Sequence, residues 1–278
     1  MKTTSATAGY LAEHQHLTPH LFRAAGISPG ERVLDVGCGC GTTTITAARA
    51  AQSTVRGRPD VWWPGRDERS PDGVAVGLDL SAPMLGVGRR LAARAGRVNA
   101  RFVRGDAQAC PLGQNSCDVM ISNFGVMFFH DPDAAFASIA AAVRPGGRLA
   151  FLCWQDDTKN EVFAIPMRPF AAHMELSGPA AGDLFTDPQR ITGLLSGTGW
   201  KDIQITPVTE PSRTGSDVDD VMSYVRGMPM IRNLAASLED PALTEYLLAT
   251  VSDEYAARQR PDGIWVRAAA WLVTARRA

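Results

Sequence analysis

The stretch Val33-Leu34-Asp35-Val36-Gly37-Cys38-Gly39-Cys40-Gly41 decides the fold. β-Favouring residues around an acid lead into glycines at every second position, and Thr42-Thr43-Thr44 then opens an alanine-rich run. The order reads strand, tight turn, helix. Glycine lets the backbone turn sharply and puts no Cβ in the way of a ligand. The helix start beyond it offers N–H groups with no partner inside the helix. The stretch therefore predicts a site for a nucleoside-bearing ligand. Its spacing is not the dinucleotide pattern G-x-G-x-x-G, and no Gly-Lys-Ser/Thr follows as in a P-loop. The tighter G-x-G-x-G turn suits a small zwitterion better than a pyrophosphate. Asp35 has two readings: it accepts from turn N–H groups or holds a ligand cation, or it only caps the turn.

Outward from this stretch, strands alternate with helices. Val74–Leu80 is a strand carrying Asp79 at its end, and Ser81 is an N-cap with Pro83 near the helix start. That helix runs to about Ala95. Ala100–Arg104 is a strand followed by Gly105-Asp106-Ala107, and Cys117–Ser122 is an almost wholly apolar strand of the kind buried on both faces. Asp133–Val143 is a helix stopped by Pro145-Gly146-Gly147, and Arg148–Trp154 is the next strand. The alternation predicts a parallel, doubly wound α/β sheet. In such a sheet an acid ending the second strand faces a ribose, about 20 residues beyond the first glycine turn. Here the segment Gln52–Gly73 lengthens that distance. It holds Trp62-Trp63 and six charged residues between Arg56 and Glu68. Removing it restores the spacing, so it reads as an insertion. Trp62-Trp63 is open to three readings: a second cover on the ligand side, a dimer contact, or a disordered loop. Gly105-Asp106-Ala107 alone reads as a surface turn, but in register with Asp35 and Asp79 the Asp106 carboxylate can accept from an exocyclic amine such as adenine N6.

Beyond Trp154 the pattern changes. A helix is expected around Val162–Leu176, a short one at Pro188–Gly199, a strand at Lys201–Pro207, and helices at Val218–Leu234 and Pro241–Arg258. Ile264–Ala275 reads as a closing strand of the same sheet.

The 278 residues are 45% hydrophobic and 21% charged, which is ordinary for a globular chain with a sizeable core. Net charge is −1, so no global field recruits nucleic acid or an anionic membrane. Only three of the 28 basic residues are lysines, Lys2, Lys159 and Lys201, a bias of genome composition more than of function. The five cysteines include no CxxC pair and read as reduced thiols in a cytoplasmic protein. No secretory signal and no membrane-spanning run is expected.

Taken together, VLDVGCGCG, GLDLS, GDAQACP, CDVMISNFGVMFF and VRPGGRLAFLCW occur in an order that resembles class I S-adenosylmethionine-dependent methyltransferases, bacterial small-molecule enzymes in particular. The resemblance covers roughly Ile27 to Trp154, and the closing strand looks like the last of that fold. It implies a Rossmann-like seven-stranded sheet whose last strand is antiparallel. It implies that Asp35, Gly37 and Gly39 line the methionine part of the cofactor. Asp79 would bind the ribose, with Leu80 and Met84 beside the adenine, and Asp106 with Ala107 would bind the adenine. Asn123 would contact the methionine end, with Phe124 closing over it. The Trp62-Trp63 segment departs from the family pattern. The resulting plan is a single methyltransferase domain, 1–278. It has an N-terminal helical cover at 1–26, a cofactor-binding core at 27–154, helical lid segments at 155–200 and 211–262, and closing strands at 201–208 and 264–275.

The expected reaction moves a methyl group from S-adenosylmethionine, leaving S-adenosylhomocysteine, to an O, N or C atom of a small acceptor in specialised metabolism. Such a transfer needs alignment above all, and a base only where the acceptor carries a proton. Candidate bases are His130, in Phe-Phe-His-Asp-Pro, and His14 and Tyr10 in the N-terminal lead-in. Glu13, His16, His20 and His173 also come into view. His130 equally fits a helix cap or a surface residue. Trp154, Phe163, Met167, Phe170, Met222, Tyr224, Met228 and Met230 are core by default, yet they make a lid suited to an apolar or aromatic acceptor. Arg168, Arg226 and Arg232 either hold an acidic acceptor group or lie on solvated faces. No His/Asp/Glu set has metal-ligand spacing. A nucleic-acid or protein methyltransferase is the alternative, against which stand the neutral charge and the sequence Ser122-Asn123-Phe124-Gly125 after the fourth strand. A non-catalytic module binding the same cofactor is a further one. A monomer or homodimer is expected, with no nucleic-acid or membrane partner.

Overall fold

The computed structural model describes residues 16–52, 73–171, 173 and 183–278. Helix α1 (Thr18–Ala25) precedes β1 (Arg32–Val36). Then follow α2 (Thr42–Ala51), β2 (Val74–Asp79), α3 (Ala82–Arg94), β3 (Ala100–Arg104), β4 (Cys117–Asn123), α4 (Pro132–Ala142) and β5 (Val143–Trp154). The C-terminal half adds α5 (Glu161–Ala171), α6 (Pro188–Gly197), β6 (Trp200–Gly215), α7 (Val218–Gly227), α8 (Pro229–Leu238), α9 (Pro241–Ala256), β7 (Gln259–Arg260) and β8 (Gly263–Arg277). The strands form one sheet in the order β3-β2-β1-β4-β5-β8-β6, with β7 pairing β8 alone. β1 to β5 pair in parallel and the final strand is antiparallel. The doubly wound expectation holds, and the expected seven strands are joined by the two-residue β7.

The order reverses at β1, whose neighbours are β2 and β4. In open α/β sheets the crevice outside the carboxyl ends of the strands at such a reversal is where ligands sit. β1 and β4 lie centrally because their side chains are apolar on both faces. Val33, Leu34, Val36, Val119, Met120 and Ile121 are all buried. The core under them includes the fully buried rings of Phe136, Phe151 and Phe185. The Phe136 ring centroid lies 5.7 Å from that of Phe151 and 6.3 Å from that of Phe185. Burying one such ring stabilises by roughly 1.5–3 kcal/mol.

Three boundaries differ from the sequence-based expectation. Pro145-Gly146-Gly147 does not merely stop a helix but lies within β5. Cys117 pairs with Val143 and Val119 with Arg148, so the extra residues form a bulge. At Gly147 any Cβ would stand 2.8 Å from the Asp118 carbonyl oxygen. β6 runs to Gly215, through Pro207 and Pro211, where the sequence predicts a strand ending near Pro207. It is the last strand of the sheet path, and an edge strand tolerates prolines because one row of its N–H groups needs no partner. The helix expected over Val218–Leu234 is two helices, broken at Met228. Met228 has an extended ψ of 127°, as a residue before proline prefers.

Contacts divide the chain into two compact units. One comprises His20–Cys153, Ala181–Thr206 and Trp271–Ala278, and contains β1 to β4, most of β5 and the core rings above. The other comprises the described residues within Met1–Pro19, Trp154–Ala180 and Pro207–Ala270. In this second unit α9 buries Leu247, Leu248, Val251 and Tyr255, and Trp154 meets Phe163 edge-on at 5.3 Å. No helix among the described residues is long and apolar enough to cross a membrane.

Candidate functional site

Asp35 lies in the buried run of β1, one residue before its end, in register with Gly77 on β2 and Ile121 on β4. Its side chain is fully buried. Its Oδ2 accepts hydrogen bonds from Thr43 Oγ1 at 2.7 Å and Thr44 Oγ1 at 2.6 Å. The donors are thus threonine hydroxyls from the first turn of α2, not the turn N–H groups that the sequence brings to mind. Oδ1 is buried with no hydrogen-bond partner in the structure. Burial pushes the Asp35 carboxyl up to about 6, against the pull of the two hydroxyls and with a further push from the Asp79 charge. A buried oxygen without a partner is costly, and a ligand cation or donor would relieve it.

The glycine turn folds over the end of β2. Gly37 N and Cys38 N both donate to the Leu78 carbonyl, at 2.8 and 3.1 Å. Gly39 N donates to Asp79 Oδ2 at 2.8 Å, and Ser81 N donates to Asp79 Oδ1 at 2.8 Å. Asp79 is thereby fixed at the strand end while its carboxylate keeps lone pairs for two hydroxyls. Gly37, at φ 69°, passes so close to Gly125 that a Cβ on it would stand 2.6 Å from the Gly125 Cα. Ser122 joins the same two loops, donating to the Val36 carbonyl at 2.7 Å and accepting from Gly125 N at 3.2 Å. The sequence reading missed Ser122 and Gly125. Their signal lies in a contact between residues 86 positions apart, which no local pattern carries.

Leu80 is 63% exposed directly after Asp79, and Met84 lies against the turn, its Cε 3.1 Å from where a Cβ on Gly39 would be. Asp106 and Ala107 follow β3, and Ala107 is buried. Asn123 ends β4 in register with Leu152. Phe124 is buried and takes a left-handed φ of 63°, an uncommon conformation for a bulky residue and one that clusters at functional sites. Phe128, four residues further on, is 78% exposed, and the sequence reading gave it no role.

His130 is exposed, and the cap of α4 is the Asp131 side chain, which accepts from Ala134 N. His14, Tyr10 and Trp62-Trp63 lie outside the described residues. His16 is exposed with its ring 5.5 Å from that of Trp265, and His173 is exposed. In the second unit Arg168 pairs with Glu254 at 2.8 Å, and Arg226 makes two bonds to Glu245 at 2.8 and 2.9 Å. Two of the three candidate arginines are thus spoken for by surface ion pairs. Val162, Phe170, Met222 and Met228 are buried, whereas Met230 is 37% exposed. Burial pushes the Cys38 and Cys153 thiols far up and the Cys117 thiol up to about 12, so none of these is a ready nucleophile. Among the described residues no group of three or more His, Cys, Asp or Glu could hold a metal.

Three carboxylates therefore stand at the carboxyl ends of three adjacent strands, and none has an ion-pair partner among the described residues. This donor set fits S-adenosylmethionine. A sulfonium and an ammonium would meet negative charge, two ribose hydroxyls would find an acceptor, and the orphaned Asp35 Oδ1 would gain a counterpart.

Known proteins bear on the same residues. The ubiE/COQ5 methyltransferase family matches residues 10–191. An uncharacterised protein of Mycobacterium bovis is 28% identical over 179 residues, which are 64% of this chain and 57% of that protein. The chain thus spans little more than half the length of that relative. A demethylmenaquinone methyltransferase of Renibacterium salmoninarum is 28% identical over 193 residues, covering 65% of this chain and 70% of that enzyme. Among solved structures, the YcgJ protein of Bacillus subtilis superposes with a TM-score of 0.55 at 16% identity. That match covers 93% of this chain and 97% of the other, a likeness of fold.

Proposed function

The chain belongs to the ubiE/COQ5 methyltransferase family, with S-adenosylmethionine as its cofactor, and on that premise we propose that it methylates a small, largely apolar or aromatic acceptor. The observation that carries the proposal is the row of Asp35, Asp79 and Asp106 at the carboxyl ends of β1, β2 and β3. When bound, the cofactor supplies a methyl group already activated by its sulfonium, so the protein has to hold and align. In this reading Asp79 holds the ribose. Asp106 and the Ala107 backbone read the base, with Leu80 and Met84 as its apolar walls. Asp35, Gly37, Gly39, Asn123 and Phe124 form the methionine end. Alignment of this kind can supply about 7–11 kcal/mol of the barrier.

An aromatic acceptor agrees with the demethylmenaquinone in the name of the Renibacterium relative. It also agrees with the exposed Phe128 beyond β4. A place in specialised metabolism belongs to the same proposal. Where the acceptor carries a proton, His130 is the described side chain proposed to remove it, with His14 and Tyr10 as the other candidates. Calorimetry with S-adenosylhomocysteine tests the core of the reading. Wild type should bind, and Asp79→Ala should weaken binding by about tenfold or more, the size of a lost hydrogen bond to a charged group. Binding of NAD with indifference to S-adenosylhomocysteine would refute it.

A further inference from the structure

We infer that Gln108 is a positioning residue that aims the Asp106 carboxylate at the exocyclic amine of the cofactor's adenine. The inference rests on the reading above that Asp106 serves the base. Asp79 is held by N–H groups of two separate segments, Gly39 and Ser81. Asp106 is held instead by one residue. Gln108 N donates to Oδ1 at 3.0 Å, and Gln108 Nε2 spans both oxygens at 2.8 and 2.9 Å. The other end of the same carboxamide is also committed, because Gln108 Oε1 accepts from Asp131 N, 23 positions along the chain. The side chain therefore bridges the turn after β3 to the start of α4 and cannot rotate without giving up one of the two. Its oxygen and nitrogen are assigned by these partners, since an N–H can be met only by the oxygen and a carboxylate only by the NH2.

A carboxylate offers about four lone-pair directions. Gln108 fills two on Oδ1 and one on Oδ2, which leaves one direction on Oδ2 for an outside donor. A single fixed acceptor discriminates between bases. Adenine presents an NH2 group at C6, whereas hypoxanthine presents a carbonyl there that a carboxylate repels. A carboxylate loose in its turn keeps its charge but loses that direction. A Gln108 that served only to stabilise the loop would lower affinity for every ligand alike. One that orients Asp106 changes the ratio between two bases.

The experiment is calorimetric binding of S-adenosylhomocysteine and of S-inosylhomocysteine to the full chain, well below each protein's melting temperature. Wild type, Gln108→Ala, Gln108→Glu and Asp106→Ala are compared, and thermal melts without ligand check that each is folded. Wild type should prefer the adenine ligand by about tenfold, and Asp106→Ala should lose the preference. Gln108→Ala should cut the preference at least about threefold, within the range for one charge-assisted hydrogen bond. Gln108→Glu should do the same, because it still accepts from Asp131 N but cannot donate to Asp106. If both Gln108 variants keep the wild-type preference, or weaken both ligands by one factor, the inference is overturned. If Asp106→Ala also keeps the preference, the reading of Asp106 falls with it. If Asp106→Ala loses the preference while the Gln108 variants keep it, only the role of Gln108 falls.

Discussion

Asp35 illustrates how one residue can carry both a structural and an electrostatic task. Its two threonine donors tie β1 to the first turn of α2, which sets the glycine turn between them. The sequence shows Asp35 and the threonine run but not their union, because Thr43 and Thr44 in isolation read as ordinary helix-start residues. The carboxyl sits near 6 in the folded protein, above the ordinary 3.8, with burial as the largest cause. The folded chain thus binds this proton more tightly than the unfolded chain does. The stabilising contribution is complete below about pH 4 and is lost as pH rises through about 6, on the order of 3 kcal/mol. Asp35→Asn should remove it. Urea unfolding from about pH 4 to pH 7 should show wild type losing stability relative to the variant across that window. Parallel curves would show that Asp35 does not titrate as its burial requires.

At the scale of elements, the connection from α1 to β1 depends on one side chain of β5. Arg148 donates to the carbonyls of Ala25 and Gly26, at the end of α1, and makes two bonds to Glu31, at 2.8 and 2.7 Å. The last carbonyls of a helix lack partners within it, and a guanidinium can satisfy two of them while holding a carboxylate. Arg148 and Glu31 are 22% and 18% exposed, so loss of the arginine leaves a shielded carboxylate unpaired. Arg148→Ala should lower the unfolding free energy by roughly 2 kcal/mol. Arg148→Lys should recover only part of it, since an ammonium cannot span the same acceptors. An unchanged urea midpoint in Arg148→Ala would count against this account. The elements themselves were largely legible. β1, β2, β3 and β4 follow from apolar runs bounded by glycine and acid, and α3 follows from Ser81 as a cap with proline behind it, whereas the Asp187 cap of α6 came only with the structure. The misjudged ends are those where tertiary pairing overrode local punctuation. β5 absorbs Pro145-Gly146-Gly147 as a bulge against β4, and β6 passes two prolines because it lies at the sheet edge.

At the scale of the whole molecule, the net charge of −1 leaves local carboxylates, not a global field, to attract a cationic ligand. A ligand that binds only the folded form stabilises it by mass action, about 2.7 kcal/mol at one hundred times its dissociation constant. Saturating S-adenosylhomocysteine should therefore raise the melting temperature by roughly 5–10 °C. Nicotinamide dinucleotides should not, since the turn lacks their spacing. A melting temperature indifferent to S-adenosylhomocysteine at such excess would contradict the site as drawn.

The sequence by itself determined the parallel sheet, the glycine turn and the three acids that follow β1, β2 and β3. Each is written within a few residues, as periodicity, backbone freedom or position at a strand end. Only the tertiary structure decided what those acids touch. Asp35 meets two threonines, Asp79 meets the turn and Asp106 meets Gln108. It alone placed Ser122 and Gly125 against the turn of β1. These partners are set by the packing of separate chain segments, where direction and distance matter, and a linear pattern records neither.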